Sequence, residues 1–353
     1  MTTVTIDNKE YDLDTLPSQS KAQLASIQFV EQELSRLQAK ASVLETAKGA
    51  YLQALKLSLP VAGVSSTNLP RYLKYPDQLK SPPQIELNIL LEYYQNRQYD
   101  LAQNLAVTLT QRYPNNPFSW KVLGALFKQS GQLQDSVIAN QKVLEITPND
   151  AEAQSNLGVT LKELGRLEDA ETSYKKAIAI KPDYAEAYYN LGITLQELGR
   201  LQEAEISYKT VITIKPDYLE AHHNLGVILQ ELGKLEEAQT SYKKAIAIKP
   251  DYAKAHSNLG NTLQELGRLE DAEASYKKAI AIKSDLVEAH SNLGSMLKEL
   301  GRLEEAEVSY KKAIAINPDY AEAYSNLGNT LQELGRLEDA ETSYKKAIAI
   351  KPD

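Results

Sequence analysis

One interval, 34 residues, governs most of this sequence. The tripeptide Asn156-Leu157-Gly158 recurs as Asn190-Leu191-Gly192 and then four more times at the same step. A second glycine, Gly165, follows the same interval, and a weaker copy of the pattern reaches back to residue 83. Units therefore begin at residues 83, 117, 151, 185, 219, 253, 287 and 321. A fixed period of this length indicates stacked copies of one supersecondary unit, not a chain folded around a single core.

The spacing of apolar residues within a unit predicts two helices. In the third unit they run from about 151 to 164 and from about 168 to 180. Gly165 falls between them and is expected to end the first helix in the left-handed conformation. The first unit has Arg97 at this position, where that conformation costs about 1–2 kcal/mol. We therefore expect the first unit to turn differently.

The first helices of the later units have a start signal of their own. Asp183 precedes the fourth unit and Glu186 follows three residues later, which is the spacing of a capping box. The pair recurs as Asp217/Glu220, Asp285/Glu288 and Asp319/Glu322. Each aspartate is therefore predicted to cap the helix after it.

The residues that carry the pattern resemble a known repeat. In the third unit they are Leu157-Gly158, Leu161, Gly165, Ala170, Tyr174, Ala177 and Pro182. In identity and spacing they are similar to the tetratricopeptide repeat. The resemblance implies an all-α solenoid, a right-handed superhelix of helix pairs whose first helices line a concave groove. It implies a protein-binding scaffold, with two degenerate units in 83–150 and six near-identical units in 151–353.

Residues 1–60 follow a different pattern. Two short runs, 3–6 and 10–13, flank polar residues and predict a β-hairpin. Apolar or small residues spaced by three and four between Ile27 and Leu55 predict one long helix, whose face either packs within the chain or forms a coiled coil. This segment resembles a small bacterial family of unknown function, which adds no activity. Residues 61–82 carry prolines near their limits and predict an extended linker.

Charge and composition exclude several classes of protein. Lysine plus arginine number 39 and aspartate plus glutamate 47, a net charge of −8, which argues against a general nucleic-acid or polybasic membrane binder. Cysteine is absent from the sequence, so disulfides and thiolate sites are excluded. No apolar run approaches the roughly 20 residues that span a bilayer, and the first residues lack a secretory signal. We expect a cytoplasmic protein without nucleic-acid or membrane partners.

Motifs for catalysis are missing. The sequence contains neither a phosphate-binding loop nor a Gly-x-Gly-x-x-Gly motif. His222, His256 and His290 share one repeat position, but side chains one repeat apart are too distant to share a metal ion. The periodic carboxylates fit solvent-facing surfaces and helix starts. We expect no enzymatic activity, no cofactor and no metal.

A row of asparagines is the main candidate site. They stand one residue before each Leu-Gly pair, on the predicted groove side of the first helix. An amide offers donors and an acceptor, so a regular row suits the backbone of an extended peptide. A similar row is known in the repeat arm of O-linked N-acetylglucosaminyltransferases; the alternative is that these amides bond neighbouring helices. The row is Asn156, Asn190, Asn224, Asn258, Asn292 and Asn326.

The fourth and fifth units add apolar groups beside this row. Tyr189, Ile193, His223 and Val227 occupy positions that hold serine or asparagine in the later units. They are candidate anchors for side chains of a partner; the alternatives are helix–helix packing and neutral variation. Glutamates such as Glu186, early in the first helices on the predicted groove, argue against the basic clamp with which some tetratricopeptide proteins hold chaperone C-terminal carboxylates.

The last unit reads like an interior one, whereas arrays normally end in a polar cap. Three explanations agree with an apolar edge at the last unit: end-to-end self-association, a partner that covers the edge, or a longer parent chain.

The leading interpretation of function is a non-catalytic scaffold that binds extended peptide or protein segments in the groove. One alternative is the substrate-recognition arm of a glycosyltransferase or sulfotransferase whose catalytic domain is absent from this chain. Another is a self-assembling structural module.

Overall fold

A computed structural model of the chain describes residues 3–6, 9–12 and 81–352. The chain divides into two compact parts, 1–81 and 82–353. In the N-terminal part, strand β1 (Thr3–Ile6) pairs antiparallel with strand β2 (Lys9–Asp12), close to where the sequence predicts a hairpin. The predicted long helix, its coiled-coil seam and nearly all of the predicted linker lie outside the described residues.

Residues 81–352 contain sixteen helices in eight consecutive pairs. The first helices are α1 (Gln84–Gln95), α3 (Pro117–Gln129), α5 (Ala151–Glu163), α7 (Ala185–Glu197), α9 (Leu219–Glu231), α11 (Ala253–Glu265), α13 (Val287–Glu299) and α15 (Ala321–Glu333). The second helices are α2 (Tyr99–Arg112), α4 (Leu133–Ile146), α6 (Leu167–Ile180), α8 (Leu201–Ile214), α10 (Leu235–Ile248), α12 (Leu269–Ile282), α14 (Leu303–Ile316) and α16 (Leu337–Ile350). The helices predicted for the third unit agree with α5 and α6 to within one residue at each end.

The turn between the two helices of each pair contains one residue with a positive φ. Gly165 has a φ of 74°, and the next N–H donates to the carbonyl of Leu161 at 2.9 Å, which closes the end of α5. Arg97 has a φ of 57°, and the next N–H donates to the carbonyl of Tyr93 at 2.9 Å. The prediction that the first unit turns differently was therefore wrong. The same backbone hydrogen bond and the packed flanking helices hold an arginine in a conformation usually left to glycine.

Helix starts differ between the early and the late units. Asn116 and Asp150 directly precede α3 and α5, and each side chain accepts from the backbone N–H three residues on, at 3.1 and 3.0 Å. Helix α7 is preceded by Tyr184, whose side chain makes no cap. The predicted aspartate caps were wrong, because a tyrosine or leucine takes the capping position and leaves the aspartate one residue too early. The aspartates affected are Asp183, Asp217, Asp285 and Asp319.

The interior of a pair is built on a glycine that faces a tyrosine. In the third unit, a Cβ added to Gly158 would lie 2.7 Å from Cε1 of the fully buried Tyr174, so only glycine leaves room for the ring. The first unit carries Leu90 and Ala106 at these two positions, both fully buried. The large residue has moved to the opposite helix, and the packed volume is conserved.

Charges also join neighbouring pairs through their second helices. The carboxylate of Glu171 on α6 accepts from Lys175 on its own helix at 2.7 Å and from Arg200 in the next unit at 2.6 Å. Comparable bridges involve Glu205, Glu273 and Glu307. Because each of these carboxylates touches two units, ion pairs as well as apolar burial determine how successive units stack.

Candidate peptide-binding surface

Successive first helices contact one another as well as their own second helices. Direct contacts join α1 to α3, α5 to α7, and α9, α11, α13 and α15 in series. Polar side chains bridge the same helices: Lys162 donates to Glu197 at 3.0 Å, and Gln264 donates to Glu299 at 2.9 Å. The first helices of neighbouring units therefore share one side of the array.

One face of these helices continues from unit to unit. It carries, in every unit, the positions held by Glu152, Asn156, Val159 and Glu163 in the third, and we call it the first-helix surface. A cavity of about 360 Å³ on this face is lined by residues of α9, α11 and α13 together. A ligand lying here would touch several units at once.

The six predicted asparagines lie on this surface, but they are not equivalent. Within residues 81–352, Asn156, Asn190 and Asn326 form hydrogen bonds only through their backbone groups, and their side-chain amides have no partner there. Asn224 instead donates to the hydroxyl of Tyr189 at 3.2 Å. Of the remaining two, Asn292 donates to Asn261 at 2.8 Å. Asn258 lies near the hydroxyl of Tyr242, where it partly offsets the rise in the pKa of that hydroxyl caused by burial.

The four predicted anchors lie at joins between units. The ring of Tyr189 stacks on Tyr218 with centroids 5.1 Å apart, and the ring of His223 contacts Tyr252 at the same distance. Ile193 and Val227 are half-buried and pack against the central apolar cluster. The structure therefore gives all four side chains a packing role, while each keeps part of its surface exposed.

His223 is neutral at physiological pH. Burial, together with the nearby charge of Lys254, lowers the pKa of its imidazole to about 4. Its Nδ1 atom is buried without a hydrogen-bond partner within the described residues. The side chain consequently behaves as an aromatic group and carries no charge in this part of the surface.

The three histidines of the shared repeat position make a structural contact. In His222, His256 and His290, Nε2 lies 2.8–3.0 Å from the carbonyl oxygen six residues earlier. Trp120, at the same repeat position, donates from Nε1 to the carbonyl of Pro114 at 2.8 Å. These rings bind the backbone that leads into each first helix. Among the described residues, no group of three or more histidine, aspartate or glutamate side chains is placed to hold a metal ion.

Tyrosine hydroxyls from the second helices reach the same surface. Tyr344 donates to Oδ1 of Asn329 at 2.8 Å. The third unit has Val159 at the position of Asn329, and the hydroxyl of Tyr174 is buried without a partner among residues 81–352. A buried polar group left unpaired costs about 1–3 kcal/mol. Val159 offers no acceptor, and Lys162 stands where Gln196 and Gln230 accept from the tyrosines of the next two units.

A cavity of about 680 Å³ in the first three units was not predicted from the sequence. Gly124 faces Asn140 where later units pair glycine with tyrosine, so neither residue fills the space of the ring. The signal was readable, because Asn140 breaks the tyrosine series at its repeat position. Residues lining the cavity include Leu91, Tyr94, Phe118, Val122, Lys128, Asn140 and Asn156.

Comparison with family models identifies the repeats independently. Models described as TPR repeat or tetratricopeptide repeat match residues 87–151, 139–172, 160–199, 185–218, 207–240, 228–267, 260–301, 294–335 and 321–353. Together they cover residues 87–353, so the chain belongs to the tetratricopeptide repeat proteins, and the resemblance seen in the sequence is confirmed. A comparison with curated proteins found no match.

Several solved structures are similar to parts of this chain. A crystal structure of MamA is 29% identical, with a TM-score of 0.45, over 46% of this chain and 95% of that one. Pseudomonas aeruginosa pilF is 18% identical, with a TM-score of 0.50, over 57% and 92%. The APC/C hetero-tetramer Cut9–Hcn1 is 14% identical, with a TM-score of 0.51, over 80% and 56%. Among the described residues, no helix is long and apolar enough to cross a membrane.

Proposed function

We propose that the first-helix surface binds extended peptide segments of partner proteins and that the chain acts without catalysis. The observation that carries this proposal is the set of open amides at Asn156, Asn190 and Asn326. Each offers two donors and an acceptor that the described residues leave unused. An extended backbone presents both kinds of group, so it complements such a row without a required sequence.

The engaged asparagines have a different part in this proposal. Asn224 is held by Tyr189, and Asn292 is held by Asn261, so both already contribute to the joins between units. Binding of a peptide backbone to them would first break those hydrogen bonds, which would offset the gain. Backbone recognition is therefore concentrated at the open amides.

The predicted anchors supply a rigid apolar strip in the fourth and fifth units, beside the open amide of Asn190. Tyr189 and His223 are fixed by ring contacts with the residues that begin the next unit, and Ile193 and Val227 are fixed by the core. Their exposed parts are therefore pre-organised, which lowers the entropy cost of contact with a ligand side chain.

Random linear peptides displayed on phage provide a test with the full chain. Enriched peptides are synthesised, and their affinities are measured for the native chain and for two variants. The first variant combines Asn156→Ala, Asn190→Ala and Asn326→Ala; the matched control combines Asn224→Ala and Asn292→Ala. Loss of hydrogen bonds worth about 0.5–1.5 kcal/mol each predicts at least about tenfold weaker binding for the first variant.

The control should lose less than the first variant. Equal affinity of the native chain and the open-amide variant would contradict the proposal, and so would a control that loses as much. Both variants keep helix-compatible residues at exposed or half-buried positions, so their thermal unfolding should remain cooperative.

A further inference from the structure

The second unit lacks a side chain that its neighbours possess. Between the two helices of later units, a buried tyrosine ring lies against a glycine, as Tyr208 does against Gly192. The second unit keeps the glycine, Gly124, but has Asn140 in place of the tyrosine. The first unit compensates for its own missing tyrosine with Leu90, whereas the second does not. The cavity of about 680 Å³ opens at this uncompensated position.

Polar atoms in the cavity leave one acceptor open. Asn140 is 3% exposed, and its Nδ2 donates to the carbonyl of Ser136 at 2.9 Å. The hydroxyl of Ser136 in turn donates to the carbonyl of Gly124 at 2.8 Å. Within residues 81–352, only Nδ2 of Asn140 takes part in side-chain hydrogen bonds, so Oδ1 is an open acceptor on the wall of the cavity.

The rest of the lining is mainly apolar. Leu91, Phe118 and Val122 come from two different first helices, and Tyr94 adds an aromatic ring. A volume of this size lies in the range of small-ligand sites, which combine apolar walls with a few placed polar groups. An aromatic side chain with a donor at its tip fits both features.

Charge sets helix α3 apart from the other first helices. It carries Lys121 and Lys128 but no carboxylate, whereas every other first helix carries at least one glutamate. Lys121 is paired with Asp150 at 2.8 Å and with Glu152 at 2.7 Å. Lys128 forms an ion pair with Glu163, but the 3.6 Å between Nζ and Oε1 is too long for a hydrogen bond, and the Lys128 side chain is 39% exposed. Its ammonium therefore keeps donors that an acidic group of a ligand can accept.

We propose that this cavity anchors a tyrosine or tryptophan side chain of an extended partner peptide. The hydroxyl or indole N–H donates to Oδ1 of Asn140, and an acidic residue beside the anchor pairs with Lys128. The peptide backbone continues to the open amide of Asn156 at the edge of the cavity. The inference rests on the proposed function, since it names the side chains that the first-helix surface selects.

The repeats themselves supply variants for the test, because each change installs a residue that other units carry at the same position. Asn140→Tyr restores the missing ring and fills the cavity from inside. Leu91→Asn replaces a wall residue that is 39% exposed, and Lys128→Gln removes the cation. Ile206→Thr, at a 65% exposed apolar residue of second helix α8 outside the cavity, is the matched control.

Peptides selected from the random phage library on the native full chain are the probe. We expect enrichment of tyrosine or tryptophan next to aspartate or glutamate. Asn140→Tyr and Leu91→Asn should each weaken these peptides at least tenfold, and Lys128→Gln should weaken only those with the acidic residue. Thermal unfolding of each variant should remain cooperative, and Leu91→Asn alone decides the anchor if Asn140→Tyr does not fold.

The outcomes separate this inference from the proposed function. Peptides that lack an aromatic residue, or that bind Leu91→Asn and Asn140→Tyr as tightly as the native chain while losing affinity to the open-amide variant, would overturn the anchor alone. A library that yields no specific peptide would count against both. Weakening by Ile206→Thr equal to that by Leu91→Asn would also overturn the anchor, because the effect would not belong to this cavity.

Discussion

Glu171 and Arg200 belong to different repeats, and their Oε2 and Nη1 atoms lie 2.6 Å apart. Burial by itself raises the pKa of the Glu171 carboxyl, but hydrogen bonds from Lys175 and Arg200 outweigh it and hold the pKa below its ordinary value. The pKa is lowered in the same way at Glu205, Glu273 and Glu307. The joins between repeats therefore depend on ionised carboxylates.

The first prediction concerns the thermal stability of the chain at acidic pH. A carboxyl whose pKa is lowered in the folded state contributes stability above its unfolded pKa, and this contribution is lost as the pH falls through the folded pKa. The midpoint of thermal unfolding should therefore decrease when the pH is lowered from about 5 to about 3. Glu205→Gln with Glu307→Gln should flatten this decrease, because glutamine does not titrate. Gln239 already occupies this position, and with its amide turned so that the oxygen faces the two cations it accepts from Arg268 at 2.7 Å. Parallel pH profiles for the two chains would contradict the explanation.

The second prediction concerns the unpaired hydroxyl of Tyr174. Val159→Asn supplies the acceptor that Asn329 provides to Tyr344 at 2.8 Å. We expect the gained hydrogen bond, worth about 1 kcal/mol, to offset the lost apolar contact. Val227→Asn is the control, because the hydroxyl of Tyr242 already has a partner. Urea unfolding should show Val159→Asn as the more stable variant; a lower stability than Val227→Asn would refute the assignment.

The third prediction tests the glycine–tyrosine contact. A Cβ at Gly192 would lie 2.7 Å from Cε1 of the packed Tyr208, whereas a Cβ at Gly124 meets Asn140 at 3.3 Å. Gly192→Ala should reduce the free energy of unfolding by about 1–3 kcal/mol through overpacking. Gly124→Ala should be nearly neutral, because a higher helix propensity compensates for the tighter contact. If the two variants lost equal free energy of unfolding in denaturant, the Tyr208 ring would move aside more easily than its packed contact with Gly192 implies.

The fourth prediction concerns the turn at Arg97. Its φ of 57° matches the conformation of the glycines at this repeat position. Arg97→Gly removes a strain of about 1–2 kcal/mol but increases the entropy of the unfolded chain, so a net gain below about 1 kcal/mol is expected. The reverse change, Gly165→Arg, should reduce the free energy of unfolding by a similar net amount, below about 1 kcal/mol. Calorimetry in which Arg97→Gly melts at a lower temperature would be inconsistent with strain at this turn.

Local patterns were sufficient to predict the helix pairs. The apolar spacing and Gly165 place α5 and α6 to within a residue, because both depend on residues close together in the chain. The predicted helix cap at Asp183 was wrong for a local reason, since the helix starts one position later, after Tyr184. The prediction of a different turn at Arg97 was wrong because tertiary packing holds this residue in a conformation that its side chain disfavours.

The candidate site was less accessible from the sequence. The asparagine row is visible as a repeat, but the partner of Asn224 is Tyr189, one unit away, and depends on how the units stack. The cavity depends on Gly124 and Asn140 together, which stand on different helices of one pair. A single repeat position shows neither relationship, because both arise from pairs of positions brought together by packing.

The most direct test of the central claim is site-specific photocrosslinking with the selected peptides. A photoreactive amino acid replaces the exposed Glu186 on first helix α7 or, as the control, the exposed Lys176 on second helix α6. If the first-helix surface binds extended peptides, the crosslink forms from position 186 and is suppressed by excess unlabelled peptide. A crosslink from position 176 alone would place the ligand on the second helices and contradict the account.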